Sequence, residues 1–409
     1  MPRIKAFEAL RPVPESAAKV ASVPYDVVNR DEAAALAEGN PDSFLHVVRP
    51  DIDFPPEQDP YADVIYAKAK ENFQRLQSAG ILIRDSHQSV FAYRQIMNGR
   101  AQVGVVCCCH IDDYENNLIL KHEKTRRAKE DDRTRHVQAL NANAGPVFLT
   151  YRDVAEVNQL VAKAVTTTPL YDFTAVDGIQ HTVWRIEATD ACVKALSAVP
   201  FFYVADGHHR AASAWRAGVA RREANPQHTG REEYNWFLAV LFPASELKIL
   251  AYNRVLKDLN GMTAEELCRR LREIGTLEAV SDPVPARAGS FCFLIGKQWW
   301  RLTVPQDSID HQDAINSLDV AILEQRVLQP IFGIGDVRTD SRIDFVGGIR
   351  GTQELERLVQ SRQWAVAVSM YPTSIPQLMA VSDAGQIMPP KSTWFEPKLR
   401  SGLLVHTLD

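Results

Sequence analysis

Apolar positions recur along the chain with two different periods. From Tyr61 to Ala79 they fall at helical spacing (Val64, Ile65, Ala67, Phe73, Leu76) and stop at Gly80, which predicts a scaffold helix. Upstream, Asn29 or Asp31 is placed to cap a helix that starts near Glu32. The segments SVFAYRQIM and QVGVVCCCHI read as strands joined at Asn98-Gly99, a hairpin signal because both residues tolerate positive φ. GPVFLTYRD, FFYVA, NWFLAVLFP and LKILAYNRVL add further strands, and AEELCRRLREI a helix. Strands and helices mix without the strict alternation of a Rossmann domain, so the expected class is α+β, with mixed sheets and flanking helices. Punctuation and period suggest three regions: 1–165, α/β with a basic segment; 166–260, a core; and 261–409, α/β with a closing tail.

Composition narrows the class. The 409 residues are 45% hydrophobic and 24% charged, the balance of a globular protein whose length allows two or three lobes. A formal charge of -5 gives no overall positive field for nucleic acid or anionic lipid, so any polyanion site must be local. Three of the six cysteines are consecutive, Cys107 to Cys109, and lie in a predicted buried strand. There they alternate faces and cannot chelate one ion together, so no metal site is expected. Charges and a proline in the first dozen residues leave no export signal, and no apolar run approaches the roughly 18 residues of a membrane span. A soluble, cytoplasmic protein is expected, with no membrane partner.

The sharpest chemical signal is YVADGHHRAASAW. An apolar strand, the Asp206-Gly207 turn and a helix start bring free main-chain N–H groups to one point, where the helix dipole favours an anion. Arg210 can grip two phosphate oxygens, and His208 and His209 can donate hydrogen bonds or move a proton. The plainer alternative is a helix start capped by Asp206. Adjacent side chains on a helix diverge by about 100°, which argues against a metal held by the two histidines.

Three other stretches extend the signal. Lys121 to His136 is a charge run that reads either as a solvated helix, with Arg126 paired to Glu130, or as a phosphate clamp made by Lys124, Arg126, Arg127, Arg133, Arg135 and His136. It passes into NANAGPVF, a small polar turn that offers Asn143 to a ligand. In VPYDVVNRDE, Pro24 stiffens the backbone beside Tyr25 and Asp26, and Asp26 can serve as base or metal ligand. In PPKSTWFEPKLRSG, Trp394 and Phe395 anchor a tail from which Lys391 and Thr393 can reach a substrate. Walker A, GxGxxG, GxSxG and HExxH are all absent.

Together VPYDVVNRDEA, HEKTRRAKEDDRTRHVQALNANAGPVF, DGHHRAASA and MPPKSTWFEPKLRSGL resemble the bacterial family called domain of unknown function 1015, over essentially the whole chain. The DGHHR element, over about residues 195–220, is also similar to the phosphate-binding motif of the ParB/sulfiredoxin-like fold, and especially to that of free serine kinases, which phosphorylate L-serine to O-phosphoserine. That second resemblance implies a ParB/sulfiredoxin-like core around the loop, with Gly207, His208, His209 and Arg210 cradling phosphate. It implies a donor (ATP, ADP or pyrophosphate) with Mg2+, and a carboxylate that takes the hydroxyl proton. Asp26, Glu32 and Asp206 are all candidates for that carboxylate, with His209 as a further catalytic candidate. Tyr25, Asn143, Lys391 and Thr393 would contact the substrate. Other members of the superfamily clamp DNA or reduce sulfinylated cysteine. The negative charge, the lack of an evident helix-turn-helix and the histidines in place of a catalytic cysteine argue against both. The expected function is a small-molecule phosphotransferase, most simply a serine kinase. The alternatives are a nucleotide-binding regulatory module without turnover and, more remotely, a DNA-associated protein.

Overall fold

The computed structural model describes all 409 residues, 1–409. The chain forms two compact units. The first comprises 1–121, 125–247 and 397–409, and the second comprises 122–124 and 248–396. Both mix helices with sheets, so the α+β class read from the sequence is the class observed.

The first unit is built on a nine-stranded mixed sheet. Along its main path the strands run Ile119–Leu120, Phe202–Asp206, Val147–Tyr151, Trp236–Pro243, Arg100–His110, Phe91–Met97, Gln180–Arg185 and Tyr171–Thr174, with Ile4–Lys5 paired to the end of Arg100–His110. Residues on both sides of position 165 share this sheet, so the expected boundary at 165/166 falls inside one unit. The Asn98-Gly99 turn forms as its chemistry dictates, with φ of 52° and 76°, and joins Phe91–Met97 to Arg100–His110 in register from Phe91↔Val106 to Met97↔Arg100. Cys107, Cys108 and Cys109 are fully buried in that second strand. Burial raises the Cys108 and Cys109 thiols, which suits apolar packing and not metal or redox chemistry.

Two helices of this unit matter for the site. Arg127–Leu140 packs along His208–Ala224, whose inner face is Ala211, Ala212, Ser213, Ala214, Ala217 and Gly218. Small residues let the helices and their supports come close: a methyl on Gly218 would sit 2.4 Å from the Tyr234 carbonyl oxygen. Arg216 bridges the pair by ion pairs to Glu130 (3.3 Å) and Asp131 (2.6 Å). Glu130, expected as the partner of Arg126, is thus engaged by Arg216. The scaffold helix spans Asp63–Ser78. A further short helix, Arg30–Ala37, is capped by Asn29.

The second unit has a six-stranded antiparallel sheet in the order Thr276–Val280, Gln298–Thr303, Ser290–Ile295, Val366–Met370, Tyr252–Leu256, Ile343–Gly347. Its core gathers Val255, Cys292, Leu294, Trp299, Val346, Leu355 and Val359. No helix of the chain is long and apolar enough to cross a membrane.

Candidate functional site

The strand Phe202–Asp206 ends directly at a left-handed Gly207 (φ 88°), and the helix His208–Ala224 starts on the next residue. Gly207 occupies the N-cap position and brings no side-chain cap. The first intrahelical bond is Ala211 N–H to the Gly207 carbonyl (3.0 Å), so the N–H groups of the first turn lie before any intrahelical acceptor, as an oxyanion site requires.

Asp206 and Arg210 close this corner. The Arg210 guanidinium donates to Asp206 Oδ2 (2.8 Å) and to the Pro146 carbonyl (2.5 Å), while its buried Nε has no acceptor. Lys398 lies 3.5 Å from the other Asp206 oxygen. Burial opposes the charge of Asp206, but Lys398 and Arg210 outweigh it and hold the carboxyl well below the usual carboxylate range. A carboxylate held by two cations is a poor base, and its role here is to orient Arg210. Burial likewise opposes the charge of Arg210, and Asp26 ahead of Asp206 and Tyr25 overcomes it and raises the pKa. The exposed Asp26 is therefore within electrostatic reach of this guanidinium.

A narrow cavity of about 40 Å³ adjoins the corner, lined by Tyr25, Arg133, His136, Asn143, Gly145, Arg210, Ser213 and Ser401 among others. At roughly 10–15 Å³ per water it takes about three. The Arg133 guanidinium lies over the Tyr25 ring (4.2 Å to the centroid), pairs with Asp132 (2.9 Å) and donates to the Val48 carbonyl (3.3 Å). Asp132 also accepts from Tyr66 (2.8 Å). Burial and then Asp26 push the Tyr25 phenol up, so it stays protonated and can donate a hydrogen bond.

The other predicted residues are placed as follows. His208 is buried, and that burial pushes its pKa down to about 4, leaving a neutral ring. His209 Nε2 accepts the main-chain N–H of Arg126 (3.1 Å), which ties the corner to the exposed Arg126-Arg127 start of the facing helix. His136 gives its Nε2 proton to the Val47 carbonyl (2.8 Å), and burial holds it neutral with a pKa of about 3. As a neutral ring it supplies no charge to a phosphate. Arg135 turns to the scaffold helix, pairing with Asp63 and lying over Tyr66. The Glu32 carboxylate accepts from Asn29 N (2.9 Å) in a capping box. Lys124, Lys391 and Thr393 belong to the second unit, where Lys391 Nζ lies over the Tyr252 ring and Thr393 Oγ1 meets His122 Nε2 (3.3 Å).

Ser401 and Lys398 both stand in the tail motif, and its pattern shows Lys398 only as one of several basic groups, with no sign of its contact with Asp206 or of the place of Ser401 at the cavity. The tail is held by Gln95 Nε2 donating to the Lys398 carbonyl (2.9 Å), by Arg400 Nε on His181 (3.1 Å), and by the Ser22–Ser401 bridge.

Among solved structures, a mutant free serine kinase in complex with ADP aligns with 14% identity and a TM-score of 0.34, over 73% of this chain and 92% of that one. Free serine kinase in complex with AMP gives 13%, 0.36, and 73% and 91%. C-terminally truncated SbnI from Staphylococcus aureus gives 12%, 0.38, and 73% and 86%. No curated protein matches the chain in sequence. The profile described as "Protein of unknown function (DUF1015)" matches residues 4–321, which takes in the Tyr25-Asp26 turn, the helix carrying Arg133 and the Asp206–Arg210 corner, and the chain therefore belongs to that family.

Proposed function

We propose that the first unit is a small-molecule phosphotransferase which moves a phosphoryl group from ATP, ADP or pyrophosphate to the hydroxyl of a small acceptor such as L-serine. The observation that carries this reading is the convergence on one cavity of two largely covered guanidinium groups, Arg133 and Arg210, with the glycine-started helix lining it through Arg210, Ser213 and Ala214, and with the exposed carboxylate of Asp26 next in the chain to the lining residue Tyr25. Phosphoryl transfer asks little covalent work of a protein and much charge stabilisation, which is what this inventory supplies.

In this reading the N–H groups after Gly207 and the unused Nε of Arg210 take phosphoryl oxygens. Tyr25 and Asn143 hold the acceptor, and Asp26 takes its hydroxyl proton as the new O–P bond forms and the donor P–O bond breaks. Asp206 keeps Arg210 in place. Glu32 is spent on its helix cap, and Asp26 is preferred to it as the base.

Asp206, Asp132, Glu130 and Asp131 are all in ion pairs with Arg or Lys, Asp26 is the carboxylate at the site outside those pairs that could meet a Mg2+ brought with the donor, and no step is routed through a protein-held metal.

The test is to incubate the purified chain with L-serine, Mg2+ and each donor in turn and to assay O-phosphoserine. Formation that is lost in Arg210→Ala supports the reading. Donor binding without product in the wild type favours a nucleotide-binding module, and neither binding nor product defeats both.

A further inference from the structure

Asp26 sits in a turn, residues 24–28, whose own main chain supplies a single long hydrogen bond, from the Val27 N–H to the Pro24 carbonyl (3.4 Å). A turn held so loosely needs an anchor from outside, and Arg49, which follows the short helix Leu45–Val48, is that anchor. Its Nη1 carries two protons and has two acceptors for them, the Tyr25 carbonyl (3.1 Å) and the Val28 carbonyl (2.5 Å), one on each side of Asp26. Its Nε and Nη2 donate to the two oxygens of Asp51 (2.9 and 2.8 Å), a fork that suits a guanidinium and not an ammonium. The side chains of Arg49 and Asp51 are mostly covered, at 16% and 14% exposed. The anchor is also tied to the cavity. The neighbouring Val48 carbonyl accepts from Arg133, whose guanidinium lies over the Tyr25 ring.

We infer that Arg49, braced by Asp51, is a positioning residue that holds the turn at 24–28 against the helix end touched by Arg133, and so keeps the Asp26 carboxylate where a substrate hydroxyl can pass its proton to it. Arg49 itself touches no substrate. Misplacing a reacting group by about 1 Å costs on the order of 10²-fold in rate, so the loss of two carbonyl anchors is enough to register in turnover. The part given to Asp26 rests on the phosphotransferase reading, whereas the hold on the turn is measurable without any turnover.

The experiment makes two measurements on the full chain. O-phosphoserine formation at saturating L-serine, with Mg2+ and whichever donor supports turnover, gives kcat, and calorimetry gives the affinity for that donor. Limited proteolysis with endoproteinase Asp-N, which cuts before Asp26, reports how often the turn opens. Arg49→Lys keeps the charge and loses the fork. It is expected to lower kcat by about 10–100-fold with donor affinity within about twofold, and to speed cleavage before Asp26 severalfold relative to cleavage elsewhere in the chain. Asp51→Asn, which keeps one acceptor oxygen, should do both to a smaller extent. Because Arg49 acts through Asp26, Asp26→Asn combined with Arg49→Lys should turn over no more slowly than Asp26→Asn alone. An unchanged kcat, an unchanged cleavage before Asp26, or losses that add in the double variant overturn the inference even though phosphoserine is made. A wild type that makes no phosphoserine removes the kinase reading, and proteolysis then decides alone: faster cleavage confined to the turn upholds the hold by Arg49, and unchanged cleavage overturns it. Should Arg49→Lys fail to fold, Asp51→Asn carries both measurements.

Discussion

Gly207 and Arg210 occupy one another's space: a methyl group on Gly207 would stand 3.0 Å from the guanidinium carbon and from Nε of Arg210. The turn is also left-handed at Gly207 (φ 88°). Gly207→Ala therefore meets two penalties, about 1–2 kcal/mol of backbone strain and displacement of the guanidinium. Urea unfolding should show that loss of stability, and pyrophosphate affinity should fall with it. Affinity unchanged at equal stability would mean that Arg210 does not touch the anion.

Asp26→Asn removes the proposed proton acceptor and leaves every buried cation in place. Turnover is expected to fall by about 10²–10⁴-fold with donor affinity retained or improved, since a negative charge near Arg210 is gone. Single-turnover kinetics beside a donor titration separate the two effects. Equal activity in the variant would move the base elsewhere.

Lys398→Met tests the clamp on Asp206. The folded pKa of Asp206 lies below its ordinary value, so its contribution to stability is present above about pH 4 and fades as pH falls toward the folded value. With Lys398 gone that depression shrinks. The variant should lose roughly 1 kcal/mol at neutral pH and show a shallower decline in acid, read from denaturant melts at several pH values. A wild-type acid profile would show that Lys398 does not act on Asp206.

The second unit supplies the opposite sign. Asp319 accepts the Gly289 N–H through Oδ1 (2.8 Å) and buries Oδ2 without a partner, and that burial pushes its carboxyl up to about 7. The folded state then prefers the protonated acid. Stability falls as pH rises from about 4 to about 7 and stays low above, by a few kcal/mol at most. Asp319→Asn should flatten this dependence and stabilise the chain at pH 8. Parallel profiles for the two proteins would refute the assignment.

What the sequence made legible was local. Asn98-Gly99 announced its hairpin because only such residues take two successive positive φ values cheaply, and FFYVADGHHR announced a strand, a turn and a helix start for the same kind of reason. The Asn29-x-x-Glu32 spacing already contained the capping box, so the engagement of Glu32 was readable too. Arg133 and Arg135 could not be told apart by pattern. They lie two positions apart on the helix, and only the packing partners, Tyr25 and Asp132 for one, Asp63 and Tyr66 for the other, decide which faces the cavity. Lys398 and Ser401 were out of reach for a different reason. They meet Asp206 and Gly145 across about 190 and 260 residues, and no periodicity reports a contact of that range. The interleaving of the two units is the same kind of long-range fact.

That interleaving sets an order of events during synthesis. Lys398, Ser401 and His406 follow residues 248–396 along the chain, so a ribosome must make the whole second unit before the first can receive its closing segment. A nascent chain halted between Ala224 and Pro397 would carry the glycine corner and both cavity arginines. It would lack the cation on Asp206 and the strand His406–Thr407 that pairs with Ala142–Asn143, and the corner would be completed only when those residues arrive.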